Sequence, residues 1–141
     1  MTTKPRTRKA PATDGAELDP IFAAIAGHKA LAKEAGRLEA AARAARNRVE
    51  KKWGEWLLAP NNWPGEAIVS PFYDRWNLAG RAEGNAAMRM ARTKPTTPAG
   101  AAAMIAHARR EIEAPSDGHY GAWVTIALKT AASALARMGA A

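Results

Sequence analysis

Apolar residues recur at three- and four-residue steps along most of this chain, the spacing that puts them on one face of an α-helix. The first series runs Ile21, Ile25, Ala32, Ala35, Leu38, Ala42, Ala45, Val49, Trp53 and Trp56. Lys29, Lys33, Arg37, Arg48, Lys51 and Lys52 fall on the other side, within an arc of roughly 140°. Asp19-Pro20 stands ahead of the series as an N-cap followed by proline at the first helical position. Pro60 and Asn61-Asn62 follow it, so the spacing predicts a helix from Pro20 to about Ala59.

Ser70-Pro71 repeats the start signal and predicts a second helix to about Thr93, with Phe72, Trp76, Ala79, Ala87 and Met90 as its buried stripe. Asp74 falls in its first turn and Arg89 and Arg92 in its last, complementing the helix dipole. Thr97-Pro98 opens a third helix carried by Ala101, Met104, Ile105, Ala108 and Ile112, ending near Pro115. After the turn Ser116-Asp117-Gly118, a fourth runs from about His119 to Met138, facing inward with Trp123, Val124, Ala127, Leu128, Ala131, Leu135 and Met138. The pattern therefore predicts an all-α fold of about four helices. A long helical hairpin over residues 19–93 carries a shorter hairpin packed on it.

The first helix has an awkward length. About forty residues would span roughly 60 Å, whereas a compact domain of this size is roughly 37 Å across. It must break, with Gly36, Asn47 and Gly54 as candidates, or project and find a partner.

Composition supports the helical reading. Of 141 residues 36 are alanine, the best helix former, and few are β-branched, so all-β and α/β folds are excluded. The absence of cysteine removes disulfides, thiol nucleophiles and Cys-based metal sites. Residues 1–18 carry Lys4, Arg6, Arg8 and Lys9 with Pro5 and Pro11 and almost no large apolar side chain. They are expected to form a disordered basic tail ahead of a single helical domain over residues 19–141. No segment resembles the apolar centre of a signal peptide. The most apolar window, Gly121–Ala136, is too short for a membrane span and contains Lys129.

Candidate chemistry is sparse. His28, His107 and His119 fall in separate elements and form no recognisable metal motif, so each reads as a packed or surface histidine. Asp74 and Glu83 could face one cleft only if tertiary folding arranges it. No nucleophile elbow, Gly-rich phosphate loop or framed acid pair is present. The sequence thus predicts neither catalysis nor a bound cofactor or metal.

Trp53, Trp56, Trp63, Trp76 and Trp123 are many for the length, and in an alanine-rich core large rings must supply bulk. Trp53 and Trp56 share one face, and Trp63-Pro64-Gly65 stands in a loop, where its ring either plugs the core or meets a partner. These three are the candidate partner-binding residues. Gly80 and Gly84 have the spacing of a tight helix–helix contact.

The formal net charge is +8 and spread along the chain. Lys4, Arg6, Arg8 and Lys9 in the tail, with Arg43, Arg46, Arg48, Lys51 and Lys52 in the first helix, are the candidate nucleic-acid contacts. They would be directed at phosphates rather than bases.

Two signatures carry a resemblance. Asp19-Pro20-Ile21-Phe22-Ala23-Ala24-Ile25-x-x-His28 opens the first helix, and Pro95-Thr96-Thr97-x-x-Gly100-x-x-Ala103 opens the third. Together they resemble a loose group of small all-helical proteins of high-GC α-proteobacteria that have no assigned activity. The resemblance implies a bacterial cytoplasmic all-α protein without an enzyme role, and it carries over no functional residues. The expected function is a non-enzymatic module for protein–protein interaction or self-association, working through the first helix and the Trp63 loop. The alternative is a basic accessory protein that binds nucleic acid without sequence preference.

Overall fold

The computed structural model describes residues 18–54, 63–115 and 121–140. These form α1 (Pro20–Trp53), α2 (Glu66–Arg92), α3 (Pro98–Glu113) and α4 (Trp123–Gly139), with no strand among the described residues. Residues 1–17 of the expected tail, Trp56 and His119 lie outside them. No helix among the described residues is long and apolar enough to cross a membrane.

The helix packing is cyclic. α1 lies along α2 and α3 along α4, while α2 meets α4 and α1 meets α3. α1 and α2 are antiparallel, because Ile21 and Ile25 share a core with Ala87, Met90 and Ala91 while Val49 meets Val69 at the other end. The pairs differ in length. At about 1.5 Å per residue, α1 is roughly 50 Å long but α3 and α4 only roughly 25 Å each. The result is a four-helix head from which the far half of the α1–α2 hairpin extends as a two-helix arm. The awkward length of the first helix is thereby resolved: it projects, and α2 is its partner.

Several boundaries differ from the sequence reading. α1 stops at Trp53, not near Ala59. Gly54 has φ 86°, and its N–H donates to the Glu50 carbonyl at 2.8 Å. Glycine enters that left-handed region without the steric cost a Cβ would bring, so it ends the helix before Pro60 is reached. Gly36 and Asn47 stay inside the helix. α2 starts at Glu66, a turn before Ser70-Pro71, and Pro71 lies within it. The carbonyl of Gly65 accepts from Ile68 and Val69, which starts the helix on backbone contacts alone, with no side-chain cap. Burial of Val69 in the arm holds this extra turn in place. The acid of the first turn is consequently Glu66, not Asp74.

The head core contains twelve buried residues, six of them alanine, from all four helices. Met104 and Met90 fill its centre, with Trp123 as its one large ring. Ile112 and Leu135, expected inside, are 43% and 38% exposed, and Ala134 takes the inner position on α4. Ile112 lies at the end of α3 far from the joint described next, whereas Leu135 is in the last turns of α4, beside the α2–α3 connection.

That joint is Asp19, 2% exposed. Its Oδ1 accepts from the Ile21 N–H at 3.1 Å, capping α1. Its Oδ2 accepts from the N–H groups of Thr96 and Thr97 at 3.0 and 2.9 Å and from the Thr97 hydroxyl at 2.8 Å. Thr97 Oγ1 in turn accepts from the Gly100 N–H at 3.0 Å, capping α3. One carboxylate therefore serves the positive ends of two helices. Burial pushes this carboxyl up, but the hydrogen bonds outweigh it and hold the group below its ordinary value. Gly100 is required here, since a Cβ would collide with the Asp19 carboxylate and the Ile21 side chain.

Candidate functional site

About two and a half turns along α1 from the joint, three titratable side chains from three helices form a chain of hydrogen bonds. His28 (α1) is 4% exposed, and both of its ring nitrogens are engaged. Nε2 lies 2.6 Å from Glu83 Oε1 on α2, and Nδ1 lies 2.8 Å from His107 Nε2 on α3. Trp123 at the start of α4 presses on both imidazoles, with ring centroids 5.2 Å from His28 and 5.6 Å from His107. The cluster thus fastens all four helices at the outer end of the head.

The electrostatics of this chain run in one direction. Burial first, then the charges on His28, Lys29 and Arg110, lowers the pKa of His107 from 6.5 to about 4. His107 is neutral at physiological pH, so one of its two nitrogens accepts. His28 Nε2 is within hydrogen-bond distance of the Glu83 carboxyl, and its Nδ1 of His107. Because His28 Nδ1 and His107 Nε2 share one hydrogen bond, the tautomer of either ring dictates the role of the facing nitrogen on the other. No group of three His, Cys, Asp or Glu among the described residues could hold a metal ion.

Glu83 faces outward from this cluster. Its side chain is 30% exposed and lines a cleft of about 280 Å³ between α1 and α2, with Ala32, Ala35, Gly36, Glu39, Trp76 and Gly80. This cleft begins where the α3–α4 hairpin ends and lies on the same side of α1–α2 that the hairpin covers in the head. Its walls are small residues, which allow another backbone to come close, and its end is closed by a carboxylate locked to His28.

The residues singled out by sequence are placed differently. Trp63 is buried at 5% exposure, packed with Val49 and Val69 and against Tyr73, so its ring is part of the arm core and presents no face to a partner. Gly65 beside it leaves no room for a Cβ against Val49 and the Trp63 ring. Trp53 is 38% exposed with Lys52 Nζ 4.5 Å above its ring. Of the α1 cations, Arg43 is held by Glu39 at 2.7 Å and Arg46 by Glu50 at 2.8 Å, while Arg48, Lys51 and Lys52 are exposed. The tail cations Lys4, Arg6, Arg8 and Lys9 lie outside the described residues.

Sequence reasoning treated His28, Glu83 and His107 separately. Their separations of 55 and 79 residues leave no local spacing to read. The available signal was that His28 and His107 each sit on the apolar stripe of a helix, where an unpartnered imidazole is costly. Compared with known protein families, characterised proteins and solved structures, this chain has no match.

Proposed function

We propose that this protein is a non-enzymatic helical interaction module that self-associates through its two-helix arm. The observation that carries this reading is the cleft bounded by Gly36, Gly80, Trp76 and Glu83. The α1–α2 face that supports α3–α4 in the head continues into the arm, where no described residue covers it. A second copy laying its arm along this face would make a four-helix layer like the one the head already contains. Small residues at Ala32, Ala35, Gly36 and Gly80 permit the interaxial approach of about 8–10 Å that such packing needs. Exposed apolar groups on the arm, Trp53 and Ile68, add surface that two helices alone do not cover.

Sedimentation velocity over a wide range of protein concentration tests the proposal. The wild type is expected to pass from monomer to dimer as concentration rises. Gly80→Glu should remain monomeric with an unchanged helical circular dichroism spectrum. No atom lies within 4 Å of a Cβ built at Gly80, so the protomer tolerates the side chain while the cleft does not. A wild type that stays monomeric throughout, or a Gly80→Glu variant that dimerises equally well, overturns it.

A further inference from the structure

At the opposite end of the molecule, the end of α2, the α2–α3 connection and the last turns of α4 enclose two adjoining surface depressions. One, of about 290 Å³, is lined by Arg92, Lys94, Lys129, Thr130, Ser133 and Arg137. The other, of about 390 Å³, shares Arg92 and adds Arg89, Asn85 and Thr93. Every lining side chain is cationic or uncharged.

The five cations here stand together with no acid among the side chains that line the two depressions. On α1 and α3 four arginines are each paired with an acid of their own helix: Arg37 with Glu34, Arg43 with Glu39, Arg46 with Glu50 and Arg109 with Glu113. Arg89, Arg92, Lys94, Lys129 and Arg137 form no ion pair among the described residues. Helix α4 contains no acid at all. Like charges gathered around two depressions raise the local potential and repel one another unless an anion offsets them. The hydroxyls of Thr130 and Ser133 add neutral donors of the kind that contact phosphate oxygens.

We infer that this surface is a binding site for the phosphate backbone of double-stranded nucleic acid. The depressions are shallow and adjoin along a ridge at Arg92, which suits an extended polyanion better than an enclosed small ligand. No aromatic ring lines them, so there is no platform on which unpaired bases would stack, and a duplex is favoured over a single strand. Recognition is by charge, without base readout. The site is distinct from Arg43–Lys52, and it forms only in the folded chain, because its cations come from positions some forty residues apart.

Fluorescence anisotropy of the full chain with a labelled duplex and a labelled single strand, at about 50 and 200 mM salt, tests this. Five phosphate contacts should make duplex affinity fall roughly 10²- to 10³-fold over that interval. Replacing Arg92, Lys129 and Arg137 together by Ala should weaken low-salt duplex binding by at least about tenfold and flatten the salt dependence by about three contacts. Replacing Arg48, Lys51 and Lys52 by Ala should change it much less. Thermal melts of both variants separate lost binding from lost folding, and the single change Lys129→Ala, at an exposed mid-helix position, provides a milder variant. Absence of duplex binding at low salt overturns the inference. So does tighter binding of the single strand, or a loss of affinity confined to the α1 variant.

Discussion

The head and the arm are built from the same alanine-rich α1–α2 hairpin, yet they are held together differently. In the head, four helices surround a core in which half the buried residues are alanine. Small side chains suffice there because each is enclosed from every side. Among the described residues of the arm, two helices pack on each other, and the buried side chains are the Ala42 and Ala45 seam and a terminal cluster of Val49, Trp63 and Val69. Phe72, Tyr73 and Trp76 remain half-buried. Polar locks follow the same division, since Asp19 and the Glu83–His28–His107 chain both belong to the head. An alanine helix is stable where neighbours approach from several directions, and where they do not, it needs a large ring at its end or another chain along its side.

This contrast can be broken most forcefully at the joint. Asp19→Ala removes the cap of α1 and takes the acceptor from the Thr96 and Thr97 N–H groups and the Thr97 hydroxyl at the start of α3. A loss of about 3–4 kcal/mol in urea unfolding is expected, with the head melting. A loss under 1 kcal/mol would mean that packing alone aligns the two helix starts.

Trp63→Ala attacks the arm. Loss of the ring should cost about 2–3 kcal/mol, less than in a closed core because the arm end can collapse. Amide hydrogen exchange should show the loss around Val49 and Val69, while protection around Met104 and Val124 persists. If both regions lose protection equally, head and arm form one cooperative unit and the division fails.

The smallest effect sharpens the boundary between them. His107 titrates near 4 in the folded chain and at its ordinary 6.5 when unfolded. Between those values the unfolded chain holds a proton that the folded one excludes, so this contribution is complete above pH 6.5 and lost as pH falls toward 4. After discounting for solvent screening at a half-buried ring, the loss is about 1–2 kcal/mol. His107→Gln should remove that part of the pH dependence, measured as the shift in urea midpoint between pH 7 and about pH 4.5. An unchanged slope in the variant would assign the dependence to other groups.

Much of the fold was legible along the chain. Asp19-Pro20 and Thr97-Pro98 mark their helix starts to the residue, because capping is local chemistry. The stripes through Ile21, Ile25, Met104 and Ala108 are buried as their spacing implies. The start of α2 was misplaced because Pro71 resembles a first-turn proline, whereas the preceding turn is held by Val69 against Val49 and Trp63, a contact twenty residues away.

What the sequence determined by itself was what depends on neighbours within one or two turns: four helices, the caps of α1 and α3, most of the apolar faces and the hairpin order. Tertiary structure decided which of those features meet. Asp19 and Thr97-x-x-Gly100, two separate signatures along the chain, became one buried joint. His28, Glu83 and His107 became one hydrogen-bonded chain, Arg92, Lys94, Lys129 and Arg137 one surface, and Trp63 a core residue. The physical reason is range. Helix propensity and capping act through bonds and a few residues, while burial, proton sharing and charge clustering depend on through-space distances that no linear spacing specifies.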